Sequence, residues 1–357
     1  MPASRQGIPD GRPARPASGV MNGTAPIEEV EVGCLPLSLR STFRTHWKTL
    51  RSHSTLHVRV RSGDLWGEGE AYALDVEAGL AVLRGLSLQG LDPWDLDSIL
   101  SSVPDNAARS AVDLALHDLL GKRTGLPVRR LLGLSFGRRT TCVSVGIDEP
   151  EAMIAAARRW ISEGYPILKV KITTTTDLSV LEKIRAIGGP HLRIWVDANQ
   201  AFEPEQAAEA ARCLERIGAE IFEQPLPVGR ISEYAALSAR VPIPIYLDED
   251  LRCAVDVARA AAAGGIDGVN VKLAKMGGLR ECLRAIQVTR AHGLHVLLGC
   301  FFESSLGIAG CAQLLPLADH VDLDAPLFVQ DDPYRGLVYS GASIAPPPGA
   351  GLGVCRR

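Results

Sequence analysis

Five short apolar runs in the middle of the chain each end on a charged residue, and those charged residues recur at almost constant spacing. Tyr165-Pro-Ile-Leu leads into Lys169-Val-Lys171, Leu192-Arg-Ile-Trp-Val into Asp197, Ile221-Phe222 into Glu223, Ile243-Pro-Ile-Tyr-Leu into Asp248, and Val269-Asn-Val into Lys272. From Lys171 onward the separations are 26, 26, 25 and 24 residues. A strand of about five residues, a helix of about eleven and two loops of about four fill roughly that length, so each step is one βα unit. The series extends to both sides. An opening strand is expected near Cys142 to Gly146, another over Leu294 to Leu298 leading to Gly299, Cys300 and Glu303, and a last at His320-Val321 leading to Asp322 and Asp324. Eight parallel strands suffice to close a TIM-type barrel, whose C-terminal strand ends carry the chemistry. The fold class is therefore α/β.

Two barrel helices have clear boundaries. One is entered through Asp148 as N-cap with Pro150 in its first turn, runs through Met153, Ala156 and Trp160, and closes at Gly164. The other spans about Ala254 to Ala263 and stops at Gly264-Gly265. Before the barrel the texture differs. Leu56, Val58 and Val60 alternate with His57, Arg59 and Arg61 ahead of Gly63-Asp64, which reads as an antiparallel hairpin. Helical periodicity then runs from Trp94 to Lys122, with Ala108, Val112, Ala115 and Leu119 on one face. We divide the chain into a disordered tail (1–24), an α+β capping domain (25–135), a modified (β/α)7β barrel (136–325) and a C-terminal segment returning to the cap (326–357).

Charge and length narrow the partners. With 38 Lys+Arg against 41 Asp+Glu there is no basic excess for a nucleic-acid backbone, and no apolar run reaches the roughly eighteen residues of a membrane span. A small-molecule ligand is expected. The eight cysteines form no close pairs such as C-x-x-C, which suits reduced thiols and a cytoplasmic setting.

Asp197, Glu223 and Asp248 would converge on one pocket, where two like charges 4 Å apart repel by about 4 kcal/mol at an effective dielectric of 20. A cation must hold them. All three are oxygen donors without His or Cys beside them, so a hard ion is expected: Mg²⁺, with Mn²⁺ as the alternative, one per subunit. Lys171 and Lys272 lie on strands flanking the carboxylate strands, on opposite sides of such an ion. Lys169 shares a face with Lys171, and their repulsion should lower the Lys171 pKa toward that of a usable base. The chemistry this suits is removal of a proton beside a carboxylate and return of a proton to the opposite face, although elimination and cycloisomerisation draw on the same groups.

These residues resemble the enolase superfamily, and within it the muconate-lactonising subgroup. The resemblance runs from about Pro26 onward through GEGEA at 67–71, ARSAVDLALHDLLGK at 108–122, KVK at 169–171, WVDANQAF at 195–202, EQPL at 223–226, LDED at 247–250 and NVKLAKMGG at 270–278. It implies Asp197, Glu223 and Asp248 as metal ligands, Lys171 and Lys272 as acid/base lysines, Lys275 as non-catalytic, and Asn199 and Glu249 as supports behind the ligands. A homo-oligomer is expected.

Two further stretches, GCFFES at 299–304 and DLDAPL at 322–327, look like dipeptide epimerases, with Asp322 and Asp324 as the pair that holds a free α-ammonium group. Lys169, Glu303, Phe301 and Ser144 are expected among the substrate-binding residues, with Phe302 beside them. Lys48, in FRTHWKT at 43–49, falls where similar Ala-Glu epimerases carry an arginine for the glutamate side chain. Two positions depart from the pattern. Asp250 replaces a small residue, which should add negative charge near Asp248, and Ser144 stands where Thr is usual. The competing readings are an N-acylamino acid racemase, o-succinylbenzoate synthase or muconate cycloisomerase of the same subgroup, and a metal-dependent binding protein without turnover. Dinucleotide binding is disfavoured, because GAGLG at 349–353 follows prolines and no strand.

Overall fold

The computed structural model describes residues 25–46 and 48–357. The tail expected over 1–24 lies outside the described residues. The first described unit is an antiparallel sheet of β1 (Glu29–Arg44), β2 (Thr49–Ser62) and β3 (Leu65–Ala71), in that order. On β2 the alternation divides as the sequence implies. Leu56, Val58 and Val60 are buried, while Arg59 and Arg61 face outward and pair with Glu31 and Glu29, their register partners on β1. Helix α1 (Val76–Arg84) packs on this sheet.

One helix was expected over 94–122, and there are two: α2 (Leu96–Ser101) and α3 (Asn106–Thr124). Pro104 lies between them, and a proline restricts its predecessor away from helical backbone. Asp105 then restarts the helix as N-cap, its carboxylate accepting Ala108 N at 2.8 Å. The face of Ala108, Val112, Ala115 and Leu119 is fully buried against the sheet. Contact there is close because β3 presents Gly67 and Gly69. A methyl group on Gly69 would stand 2.0 Å from Ala111 O.

After the short α4 (Val128–Leu131) and β4 (Arg139–Thr140), eight parallel strands follow: β5 (Val143–Val145), β6 (Ile167–Lys171), β7 (Arg193–Asp197), β8 (Ile221–Glu223), β9 (Ile245–Leu247), β10 (Gly268–Val271), β11 (His295–Gly299) and β12 (His320–Asp322). They are neighbours in chain order, and Cys142 N donating to Val321 O at 2.9 Å brings the two ends together as a near-closed barrel. The connecting helices are α5 (Pro150–Ser162), α6 (Ser179–Gly188), α7 (Pro204–Arg216), α8 (Tyr234–Ser238), α9 (Ala254–Ala263), the single turn α10 (Leu273–Met276) followed by α11 (Leu279–Ala291), and α12 (Ser305–Ala312). Helix α9 has the expected bounds. Helix α5 is capped by Glu149 instead of Asp148, whose carboxylate bonds Glu149 N and Arg44.

Side chains two apart on a strand share a face, which sorts the barrel into layers. Outward residues such as Leu168, Val170, Ile194, Val196, Val269 and Leu298 are buried against the helices. Inward at the strand beginnings, Ile167, Trp195, Ile221, Tyr246 and Leu297 form a separate apolar plug with Cys142. Two residues further along four of these strands stand Lys169, Asp197, Glu223 and Asp248. The C-terminal segment adds α13 (Ala325–Phe328), pairs β13 (Tyr334–Arg335) with β16 (Cys355–Arg356), and joins β14 (Val338–Ser340) and β15 (Ser343–Ala345) to β4. All eight cysteines are unpaired, and among the described residues no helix is long and apolar enough to cross a membrane.

Candidate active site

Asp197 and Glu223 are the last residues of β7 and β8 and lie in register with one another, and Lys171 is in register with Asp197. Asp248 and Lys272 each sit one residue beyond their strands. All five are buried. Strands β6 and β10 are four apart in an eight-stranded ring, so their lysines enter from opposite sides. Lys171 Nζ donates to Asp197 Oδ2 at 2.5 Å, and Lys272 Nζ to Asp248 Oδ2 at 2.6 Å. Lys275 also donates to Asp248 Oδ1, at 2.6 Å, and to Asn270 O, which holds it in place.

Lys169 does not reach the cavity wall. It is completely buried and meets Glu223 and Asp322 at 2.8 Å and Asp197 at 3.2 Å, so it is the counter-ion shared by three carboxylates. Burial alone would push its ammonium pKa down, but Asp322, Glu223 and Asp197 outweigh that and hold it well above the ordinary lysine value. Lys272 is raised in the same way, burial being outweighed chiefly by Asp248. Burial pushes up the carboxyl of Glu223, with Asp197 adding to it, whereas in Asp197 and Asp248 the neighbouring lysines overcome burial and bring the pKa down.

Among the described residues no three carboxylate, imidazole or thiol groups are already spaced as a metal cage. The ammonium groups stand between the carboxylates instead. The donor chemistry still fits a hard ion: three buried carboxylates on adjacent strand ends supply only oxygen, and Glu223 Oε2 and Glu249 Oε2 are buried without a hydrogen bond. Lys169 Nζ is 2.8 Å from that Glu223 oxygen, an ionic contact outside hydrogen-bonding direction. An ion here would require Lys171 and Lys272 to turn away from Asp197 and Asp248.

Above these groups lies a cavity of about 740 Å³, walled by both the cap and the barrel, a size typical of small-molecule sites. Ser144, Asp322 and Asp324 line it together, with Ser144 N donating to Asp324 Oδ2 at 2.7 Å. Asp322 is partly committed, to Lys169 and to the thiol of Cys142. Asn199 and Glu249, expected as supports, bond each other at 3.0 Å. Phe301 forms wall between Tyr72, stacked at 4.7 Å, and the ammonium of Lys272, 4.7 Å from its ring. Phe302 also lines the cavity and packs edge-on against Phe43 and Phe328. Lys48 reaches in from the cap and donates to Tyr72 OH at 2.9 Å; its neighbour Trp47 lies outside the described residues.

Glu303 straps the barrel to the cap. It is buried and accepts Tyr72 N at 3.0 Å, while Glu70 of the cap accepts Ser304 N and Gly307 N at 3.0 Å and bonds the hydroxyls of Thr55 and Ser304. Each unit thus lends the other one buried glutamate. Burial, reinforced by Glu70, pushes Glu303 up to about 8. Asp250 keeps its negative charge beside Asp248, with its oxygens accepting Gln224 Nε2 at 2.7 Å and Gly229 N at 2.8 Å. Two polar residues escaped the sequence reading. Asn270 donates to Glu223 Oε1 at 2.8 Å, and its place two residues before Lys272, on the inward face, was the available signal. Gln224, buried beside Glu223, accepts Asp248 N at 2.9 Å, and only its position in EQPL hinted at a role.

Comparison with known proteins supplies the wider context. Residues 152–355 match the model for the enolase C-terminal domain-like family, and residues 97–133 that for the mandelate racemase / muconate lactonizing enzyme N-terminal domain. An L-Ala-D/L-Glu epimerase of Bacteroides thetaiotaomicron is 32% identical over 333 residues, covering 90% of this chain and 86% of that protein. A hydrophobic dipeptide epimerase of Enterococcus faecalis is 29% identical over 355 residues, with 92% and 99% covered. Among solved structures, the dipeptide epimerase from Enterococcus faecalis complexed with Mg and L-Leu-L-Tyr superposes with a TM-score of 0.88 at 28% identity, covering 92% of this chain and 99% of that one.

Proposed function

The chain belongs to the mandelate racemase / muconate lactonizing enzyme family of the enolase superfamily, and on that footing we propose that it is a dipeptide epimerase inverting the α-carbon of the C-terminal residue. The observation that carries this reading is the placement of Lys171 and Lys272 four strands apart, on opposite sides of Asp197, Glu223 and Asp248. One lysine as free amine takes the α-proton from one face, and the other as ammonium delivers its proton to the opposite face. Only hydrogen is exchanged, and the configuration inverts. Asp197, Glu223 and Asp248 would hold one divalent ion, Mg²⁺ or Mn²⁺, which when bound supplies positive charge to the substrate carboxylate and to the negative charge that builds there as the proton leaves.

Asp322 and Asp324 favour a dipeptide over an N-acylated amino acid, because two cavity-lining carboxylates make stronger, charge-assisted bonds to a free α-ammonium group than to a neutral amide N–H. For the second residue, Lys48 supports an acidic side chain. It is a single ammonium held by a tyrosine hydroxyl, which can pair with a carboxylate but lacks the two-pronged contact of an arginine. The eight unpaired cysteines suit work in the cytoplasm.

The test is incubation of the protein with Mg²⁺ and a library of L,L-dipeptides in D₂O, read by mass spectrometry. Some dipeptides gain one deuterium at the C-terminal α-carbon, acidic second residues foremost. Lys171→Ala and Lys272→Ala each abolish epimerisation while retaining exchange from one configuration. Exchange of N-acylamino acids but of no dipeptide would replace this reading by a racemase.

A further inference from the structure

We propose that Asp250 is a positioning residue that braces the ends of β8 and β9, and with them Glu223 and Asp248, for ion binding. The inference rests on the ion-binding reading above and concerns a residue of this chain that departs from the pattern it resembles.

Glu223 is followed by Gln224, a fully buried residue whose backbone is left-handed at φ +38°, a conformation that side-chain-bearing residues adopt only when their surroundings impose it. Its side-chain amide spans the gap to the next strand end. The oxygen accepts Asp248 N at 2.9 Å, and the nitrogen points to Asp250 Oδ2 at 2.7 Å, with Leu226 O at 3.1 Å and Tyr234 OH at 3.2 Å nearby. The bond to the carboxylate is the shortest and is charge-assisted, the stronger class of hydrogen bond. The other Asp250 oxygen accepts Gly229 N at 2.8 Å and so ties down the loop that carries Val228 into the cavity wall. One carboxylate therefore fastens a side chain between two candidate ligands and a loop above them. Asp250 has both oxygens engaged within the protein, so it braces the ligands without joining them.

An asparagine at 250 keeps the shape but has only one acceptor, so either Gln224 Nε2 or Gly229 N would face an N–H. An alanine removes both bonds. Partners that orient ligands from behind typically change metal affinity by about 10- to 100-fold when removed. The experiment is calorimetric titration of the metal-stripped full chain with MgCl2, for wild type, Asp250→Asn, Asp250→Ala and Asp319→Asn. Asp319 makes comparable bonds, accepting Val296 N at 2.8 Å and Arg290 at 2.9 Å, but lies beside the strand beginnings, away from the ligands. The expected result is a dissociation constant raised about tenfold or more in both Asp250 variants, the larger rise in Asp250→Ala, and unchanged in Asp319→Asn. Should the alanine variant not fold, the isosteric asparagine variant decides. Wild-type affinity in Asp250→Asn, or an equal loss in Asp319→Asn, overturns the positioning role alone; no Mg²⁺ binding by wild type overturns the reading of the site and this inference with it.

Discussion

Replacing Lys169 by methionine tests whether the carboxylates at the strand ends are held as anions. The ammonium contacts Glu223 and Asp322 at 2.8 Å and Asp197 at 3.2 Å. At an effective dielectric of 20 the attraction is about 6 kcal/mol for each of the two shorter contacts and about 5 for the longer. Desolvating the ions offsets most of this, so the loss to expect is the roughly 3–5 kcal/mol found when one partner of a buried pair is removed. Methionine fills a similar volume, and little of the loss comes from packing. At about 1.4 °C per kcal/mol for a chain of this length, the melting temperature in EDTA should fall by roughly 4 to 7 °C. Mg²⁺ should then recover part of it. An ion at a hundred times its Kd adds about 2.7 kcal/mol, and a site that has lost one positive charge gains more from a cation than the wild type does. The assay is thermal unfolding followed by circular dichroism, with and without Mg²⁺. If Lys169→Met melts within about 2 °C of wild type in EDTA, the carboxylates are not charge-compensated by this lysine and the electrostatic account of the site fails.

Two further outcomes concern the join between cap and barrel. Glu303 has a folded-state pKa of about 8 against an ordinary 4.5, so between those values the folded protein binds a proton that the unfolded chain does not. Its contribution is complete below pH 4.5 and is lost as pH rises through 8. Urea unfolding from pH 5 to 8 should show stability falling with pH more steeply in wild type than in Glu303→Gln, and equal slopes would contradict the shift. Gly69→Ala should cost about 1–3 kcal/mol, because its methyl group would collide with the backbone of α3, whereas Gly33→Ala, with nothing within 4 Å, should be tolerated far better. Chemical denaturation of both variants decides, and equal stability would mean the sheet and α3 can separate without penalty.

The barrel was legible because its strands are short, apolar and evenly spaced, and because strand parity turns a spacing of about 25 residues into one polar layer. Helix α9 was legible for a local reason, a glycine pair in left-handed backbone at its end. The split between α2 and α3 was carried by Pro104 and Asp105 but hidden under apolar periodicity continuous across them. The partners of Lys169 and Glu303 were not legible, because position on the chain says which face a residue occupies and not which partners reach it. Three carboxylates converge on the first from three different strands, and the second is claimed by an amide 231 residues away. The hydrogen bonds of Gln224 and Asp250 were out of reach for the same reason, since loop geometry decides them.

The balance of charge around the cavity joins these observations. Asp197, Glu223, Asp248, Glu249, Asp322 and Asp324 are buried or nearly so, and the ammonium groups among them are Lys169, Lys171, Lys272 and Lys275. In this layer carboxylates outnumber ammoniums, and Asp250 adds a further buried carboxylate beside Asp248. Burial, and then a neighbouring carboxylate, pushes up Glu223, Glu249 and Asp324. A divalent cation would offset that excess of negative charge. It would also draw Asp248 away from Lys272, whose pKa that carboxylate chiefly raises against burial, and an amine so relieved is easier to deprotonate. Ion binding and the charge state of this layer are then one electrostatic event, set by residues at the ends of six strands whose spacing is written along the chain.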